Sequence, residues 1–110
     1  MLDVLILVDD PIIALDLADA TQAIDRSARI RVLDQVGQGV PGGLTHAFLG
    51  PGMGDAALAR RLARRGAEVF LVGADEVPTP LRDAPGVTAL PYIFTAAQIA
   101  ALLETRPGPS

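Results

Sequence analysis

The sequence contains no cysteine and no lysine among its 110 residues, and it contains no tryptophan. Without cysteine, the chain forms no disulfide, no thiolate zinc site and no thiol nucleophile. All nine basic residues are arginines, so no function of this chain rests on a lysine amine.

Basic charge is also scarce, since the formal net charge is −4 and the sequence pI is about 4.7. A surface that binds nucleic acid needs a basic footprint, so we expect no nucleic-acid partner. The opening MLDVLILVDD has no basic n-region, and its apolar run is too short to cross a bilayer. We therefore expect a cytoplasmic protein without a membrane partner.

Half of the residues are apolar, which is enough for one domain of this length to bury a core. Short apolar runs alternate with segments of helical periodicity, which predicts a five-stranded parallel, doubly wound α/β sheet. The predicted strands cover 4–8, 28–33, 47–49, 69–72 and 87–90. Helices are predicted over 11–24, from Asp55 to Gly66 and after Thr95. We expect a single domain over 1–105 and a disordered tail over 106–110.

The last helix has the clearest start signal in the sequence. Thr95 and Gln98 form the pattern of a capping box, and Phe94 and Ile99 are spaced as a hydrophobic staple. At the end of the preceding helix, Gly66 suits a left-handed stop. The glycine-rich stretch QVGQGVPGGL is poor helix material and predicts a loop or one distorted turn.

In an open parallel sheet, ligands bind beyond the carboxyl ends of the strands. The residues predicted at those ends are Asp9, Asp10, Gly50, Val72 and Tyr92.

Several segments resemble bacterial response-regulator receiver domains, particularly the alphaproteobacterial FAT GUY group with its shortened fourth helix. The opening VLILVDDPIIALDLADA is similar to the start of such receivers, and HAFLGPGM to the strand that carries the phospho-acceptor. Further similar segments are ALARRLARRG, VFLVG and YIFTAAQIAALL. The resemblance implies a flavodoxin/CheY-like sheet of order 2-1-3-4-5, with the second and fourth helices short or eroded.

The same resemblance implies a degenerate phosphorylation pocket. An active receiver needs an acid pair for magnesium and an aspartate that accepts the phosphoryl group. Here Asp9 keeps one of the two acid positions, whereas Val8 replaces the other. Gly50 stands at the acceptor position and has no side chain to phosphorylate.

Active receivers also need a hydroxyl residue and a lysine beside the phosphoryl group. Val72 stands at the hydroxyl position, and either Tyr92 or Leu90 stands at the lysine position. Positioning and charge neutralisation drive phosphoryl transfer, so we expect no catalytic residue, no enzyme activity and no cofactor. Asp9 and Asp10 alone would hold Mg²⁺ only weakly.

Two other features admit a functional and a structural interpretation. Asp9 and Asp10 could bind a divalent ion, but acids at this position also suit the amino end of the following helix. In the turn GPGMGD, Gly52 and Gly54 could offer backbone donors to an anion, although the turn matches neither nucleotide-binding glycine motif. Asp55 at its end is interpreted as a helix cap. A small-ligand or anion-binding module is therefore the alternative function.

The leading expectation is a pseudo-receiver that binds signalling proteins, or a second copy of itself, without being phosphorylated. The expected interaction face comprises Tyr92, Ile93 and Phe94, although Tyr92 could equally fill the space of the missing lysine. His46 lacks the partners that catalysis needs and is interpreted as structural or solvent-facing. The arginines between 60 and 65 predict a solvated helix face, with contact to an acidic partner as the alternative. A receiver that uses an unusual phospho-acceptor is a third interpretation.

Overall fold

The computed structural model describes residues 2–33, 42–51 and 56–104. Its strands are β1 (Asp3–Leu7), β2 (Arg29–Leu33), β3 (His46–Leu49), β4 (Glu68–Val72) and β5 (Val87–Leu90). The α-helices in these ranges are α1 (Pro11–Ile24), α2 (Ala56–Arg64) and α3 (Ala96–Glu104), and a 3₁₀-helix covers Thr79–Leu81. All strand pairs are parallel, in the spatial order β2-β1-β3-β4-β5. The predicted fold class is confirmed.

The sheet is covered on both faces, which explains the uninterrupted apolar run at the start of the chain. Successive strand residues point to opposite faces, so a doubly covered strand has no polar side to show. Val4, Ile6 and Val8 pack in a cluster with α1 and α3, whereas Leu5 and Leu7 pack with α2 and the 3₁₀-helix. α1 and α3 therefore lie on one face of the sheet, and α2 lies on the other.

The chain between β4 and β5 contains a 3₁₀-helix where a receiver's fourth helix would run. Leu81 anchors this segment in the core beneath α2. The Arg60 guanidinium donates to the Pro80 carbonyl and lies 3.4 Å from an Asp83 carboxylate oxygen. The expectation of an eroded fourth helix agrees with this segment. The stretch in which the second helix was expected falls mainly on 34–41, outside the described residues.

The helix boundaries follow the predicted capping chemistry. The backbone N–H of Gln98 donates to Thr95 Oγ1 at 3.2 Å, and the backbone N–H of Thr95 donates to Gln98 Oε1 at 2.7 Å. Gly66 adopts φ +95°, and the following N–H of Ala67 donates to the Leu62 carbonyl at 3.2 Å. The capping box and the left-handed stop are both confirmed.

Asp25 ties the start of the chain to the turn that follows α1. Its carboxylate accepts hydrogen bonds from the Ser27 hydroxyl at 2.6 Å and from the Leu2 backbone N–H at 3.0 Å. These hydrogen bonds stabilise the ionised carboxylate and lower the pKa of Asp25, and the bond from the Ser27 side chain has the largest effect.

Candidate functional site at the carboxyl ends of the strands

The parallel register brings the carboxyl ends of four neighbouring strands, β1, β3, β4 and β5, together at one end of the sheet, a region named here the strand edge. The ladder continues one residue past the strands, because Gly50 N–H donates to the Leu7 carbonyl and Gly73 N–H donates to the Leu90 carbonyl, both at 2.8 Å. The segments after β1, β3, β4 and β5 therefore meet where parallel sheets hold ligands.

Asp10 caps α1 and faces its backbone. One carboxylate oxygen accepts from the N–H groups of Ile12, at 2.9 Å, and Ile13, at 3.4 Å. The structural interpretation of this acid is confirmed, and its preference for the positive end of a helix gives the reason. Asp9, beside it, is exposed to solvent. Within the described ranges, no three His, Asp or Glu residues group closely enough to hold a metal ion.

Val8 and Gly50 lie in close contact across the ends of β1 and β3. A Cβ atom built on Gly50 would lie 3.2 Å from Val8 Cα and 3.4 Å from both of its γ carbons. Both residues are buried. A side chain at position 50 would therefore need Val8 to move by a few tenths of an ångström, and glycine itself supplies no side-chain nucleophile there.

Val72 and Tyr92 close the other half of the same edge. Val72 is buried in the cluster beneath α1 and α3, and Gly73 follows it with φ +84°. The Tyr92 ring lies against Gly73, since a Cβ built there would come within 2.7 Å of the ring carbon Cε2. Leu90, the alternative occupant of the lysine position, points into the core. Tyr92 is thus the residue that stands at the strand edge.

The segment 92–94 divides between surface and core. Ile93 is 95% exposed and Tyr92 is 48% exposed, while Phe94 is half-buried and packs against the cluster that holds α3. The rings of Tyr92 and Phe94 stack with centroids 6.3 Å apart. The peptide bond between Tyr92 and Ile93 is cis. Of the expected interaction face, Tyr92 and Ile93 are therefore exposed and Phe94 supports them.

His46 lies far from this edge, at the opposite end of β3. It is 1% exposed, its Nδ1 lies 2.9 Å from Thr45 Oγ1, and its ring stacks on Phe70 with centroids 6.2 Å apart. The structural interpretation holds, and the solvent-facing one is wrong. The hydrogen bond with Thr45 offsets part of the cost of burying the imidazole, and the ring stacking adds an aromatic contact.

Two features of the structure were not predicted from the sequence. The packing of Tyr92 on Gly73 joins residues nineteen positions apart, and the only local signal is a glycine directly after a buried strand. A groove of about 440 Å³ between α1 and α3 is the second feature. Gly52, Gly54 and Asp55, the proposed anion turn and helix cap, lie outside the described residues.

No protein-family model and no curated protein matches the chain in sequence. Among solved structures, it is similar to a response regulator protein from Burkholderia pseudomallei, crystallised with a phosphorylated aspartic acid, a calcium ion and citrate. The TM-score is 0.71 at 18% sequence identity, over 96% of this chain and 68% of that one.

The chain therefore has the fold of response-regulator receiver domains. Within the described part of the chain, no helix combines the length and the apolar character that crossing a membrane requires.

Proposed function

We propose that this chain is a pseudo-receiver in bacterial two-component-type signalling, a receiver-fold domain that accepts no phosphoryl group and acts by binding another protein. The observation that carries the proposal is that side chains of the protein itself fill the space at the carboxyl ends of the strands. Val8 fills the space beside Gly50, and Tyr92 covers Gly73. The degenerate pattern resembles the alphaproteobacterial FAT GUY receivers.

Loss of phosphorylation follows from the chemistry of these residues. Phosphoryl transfer depends on placing a nucleophile and neutralising the charge of the transferred group. Glycine supplies no nucleophile at position 50, valines line the edge at positions 8 and 72, and the chain contains no lysine. The related structure carries a phosphorylated aspartic acid and a calcium ion; for this chain we propose neither a phosphoryl acceptor nor a metal cofactor, and no enzyme activity.

The interaction role rests on the exposure of Tyr92 and Ile93. Ile93 is 95% exposed, and a partner that removed its side chain from water would lower the free energy of the complex. The Tyr92 ring beside it packs on Gly73 with one part and stacks with Phe94, while about half of the residue is exposed. Tyrosine is one of the residue types enriched among those that contribute most of the binding free energy at protein interfaces.

The test compares protein capture by the wild-type chain with capture by Ile93→Ser and Tyr92→Ala. The matched control is Ile12→Ser, because Ile12 on α1 is also an exposed isoleucine, at 72%. Immobilised chains are incubated with lysate of the source organism, and the captured proteins are identified by mass spectrometry. We expect both variants at the strand edge to lose partners that the wild type and the control retain. Identical capture by all four chains would contradict the proposed face.

A further inference from the structure

The outer surface of α2 carries a stripe of arginines. Arg61 and Arg64 lie on adjacent turns of α2, Arg65 directly follows its last residue, and all three side chains are exposed. In the parts of the chain that the structure covers, none of the three forms an ion pair, whereas Arg60 beside them is engaged with Asp83. Positive charge is therefore concentrated on one face of a chain whose net charge is −4.

The opposite face of the sheet carries an acidic groove between α1 and α3, with a volume of about 440 Å³. Asp16 and Asp19 are exposed on its rim, and neither forms an ion pair within the described ranges. Its apolar lining comes from both helices and from the segment before α3: Ala20, Ala23, Phe94 and Ile99.

Arginine side chains match such a groove in chemistry and in spacing. An arginine buries its aliphatic stem on apolar surface while its guanidinium binds a carboxylate through two parallel hydrogen bonds. The half-buried Phe94 ring offers a further contact for a guanidinium. Residues three or four apart on a helix are separated by about 5–6 Å between Cβ atoms. That spacing holds for Asp16 with Asp19 on α1 and for Arg61 with Arg64 on α2.

We propose that the α2 arginine stripe of one copy of this chain docks into the α1/α3 groove of a second copy. A twofold dimer that pairs each surface with itself would place acid against acid or arginine against arginine. The stripe and the groove lie on opposite faces of the sheet, so one partner cannot engage both. The contact is therefore heterologous, and each copy can donate its stripe to one neighbour while it accepts the stripe of another. Such contacts form open chains or closed rings. The inference goes beyond the proposed function, because neither Tyr92 nor Ile93 takes part.

The test is sedimentation equilibrium of the whole chain at about 50 mM and about 500 mM NaCl, since salt screens exposed ion pairs. We expect a mass that rises with concentration past the dimer at low salt and falls towards the monomer at high salt. Asp16→Arg/Asp19→Arg and Arg61→Glu/Arg65→Glu should each weaken association by about tenfold or more, as close like charges replace attraction by repulsion. An equimolar mixture of the two variants should associate again, because each supplies the surface that complements the other.

The control variant Arg29→Glu/Arg31→Glu changes the net charge as much as the α2 variant but alters the edge strand β2. Circular dichroism checks that each variant folds. If Asp16→Arg/Asp19→Arg does not fold, the charge-removing variant Asp16→Asn/Asp19→Asn takes its place in the sedimentation experiment. Equal weakening by the β2 variant would overturn the proposal, because net charge alone would then explain the effect. A monomeric wild type at low salt, or a mixture that does not associate, would overturn it as well.

Discussion

At the scale of single residues, the contact of Tyr92 with Gly73 organises the strand edge. The φ angle of +84° at Gly73 is favourable for glycine alone, and the absence of a Cβ lets the ring approach the backbone. Gly66 also has positive φ, at +95°, but nothing lies within 4 Å of its missing Cβ. A substitution at Gly66 therefore carries only the free-energy cost of the backbone conformation, whereas one at Gly73 also carries the cost of displacing the Tyr92 ring.

Gly73→Ala is predicted to push the Tyr92 ring into solvent. Gly66→Ala and Gly73→Ala should share the conformational cost of about 1–2 kcal/mol for an L-residue in the left-handed region. Only Gly73→Ala should also move the ring. The chain has one tyrosine and no tryptophan, so intrinsic fluorescence reports on Tyr92 alone. We expect acrylamide to quench this fluorescence more strongly in Gly73→Ala than in the wild type or in Gly66→Ala.

The double-mutant cycle with Tyr92→Ala supplies the energetic check. When residue 92 is alanine, the methyl group added at position 73 has no ring to displace. Gly73→Ala should therefore lower the free energy of unfolding less in the Tyr92→Ala background than in the wild type. Equal destabilisation in both backgrounds, together with unchanged quenching, would contradict the described packing.

At the scale of the helices and strands, the capping box of α3 is the interaction most open to a matched test. The Gln98 side chain accepts the Thr95 backbone N–H at 2.7 Å, whereas the exposed side chain of Gln22 on α1 makes no hydrogen bond within the described ranges. The two residues differ chiefly in that bond, and both tolerate alanine in a helix.

Gln98→Ala is predicted to lower the free energy of unfolding by about 0.5–1.5 kcal/mol, the net contribution of one such hydrogen bond. Gln22→Ala should change it by less than about 0.5 kcal/mol, as is usual for a surface substitution. Urea denaturation followed by circular dichroism measures both. Equal effects of the two substitutions would show that the capping box contributes nothing.

The elements could be predicted from the sequence because periodicity and end signals are local. The predicted bounds 11–24 and 87–90 agree with α1 and β5. The predicted starts of β1, β2, β3 and β4 were each displaced by one residue. Asp3 and His46 belong to their strands although they are polar, since pairing with Arg29 and Glu68 in neighbouring strands places them there. Such pairing depends on residues distant in the chain, and no local pattern records it.

The candidate site was predictable only in part, for the same reason. Position along the chain placed Asp9, Gly50 and Val72 at strand ends, because the fold fixes where parallel strands finish. The contacts made there depend on tertiary packing. The approach of Val8 to Gly50, like the position of Tyr92 over Gly73, follows from how neighbouring strands are aligned.

At the scale of the whole molecule, the two faces of the sheet differ in charge, and the carboxyl ends of the strands lie between them. The face with α1 and α3 carries the acidic groove, and the face with α2 carries the arginine stripe. At those ends lie Val8, Gly50, Val72 and Tyr92, together with the exposed Asp9 and the helix cap Asp10. This distribution favours a domain that acts through its surfaces.

The central claim is that the strand edge binds neither magnesium nor a phosphoryl group, and an NMR titration of the ¹⁵N-labelled chain tests it most directly. Mg²⁺ is added first and beryllofluoride second, while the amides of Asp9, Gly50, Val72 and Tyr92 are followed. We predict no saturable shift at any of these amides, because position 50 is a glycine and the chain contains no lysine to bind the phosphoryl mimic. Saturable shifts confined to these amides would show that the edge still recognises such a ligand and would contradict the account.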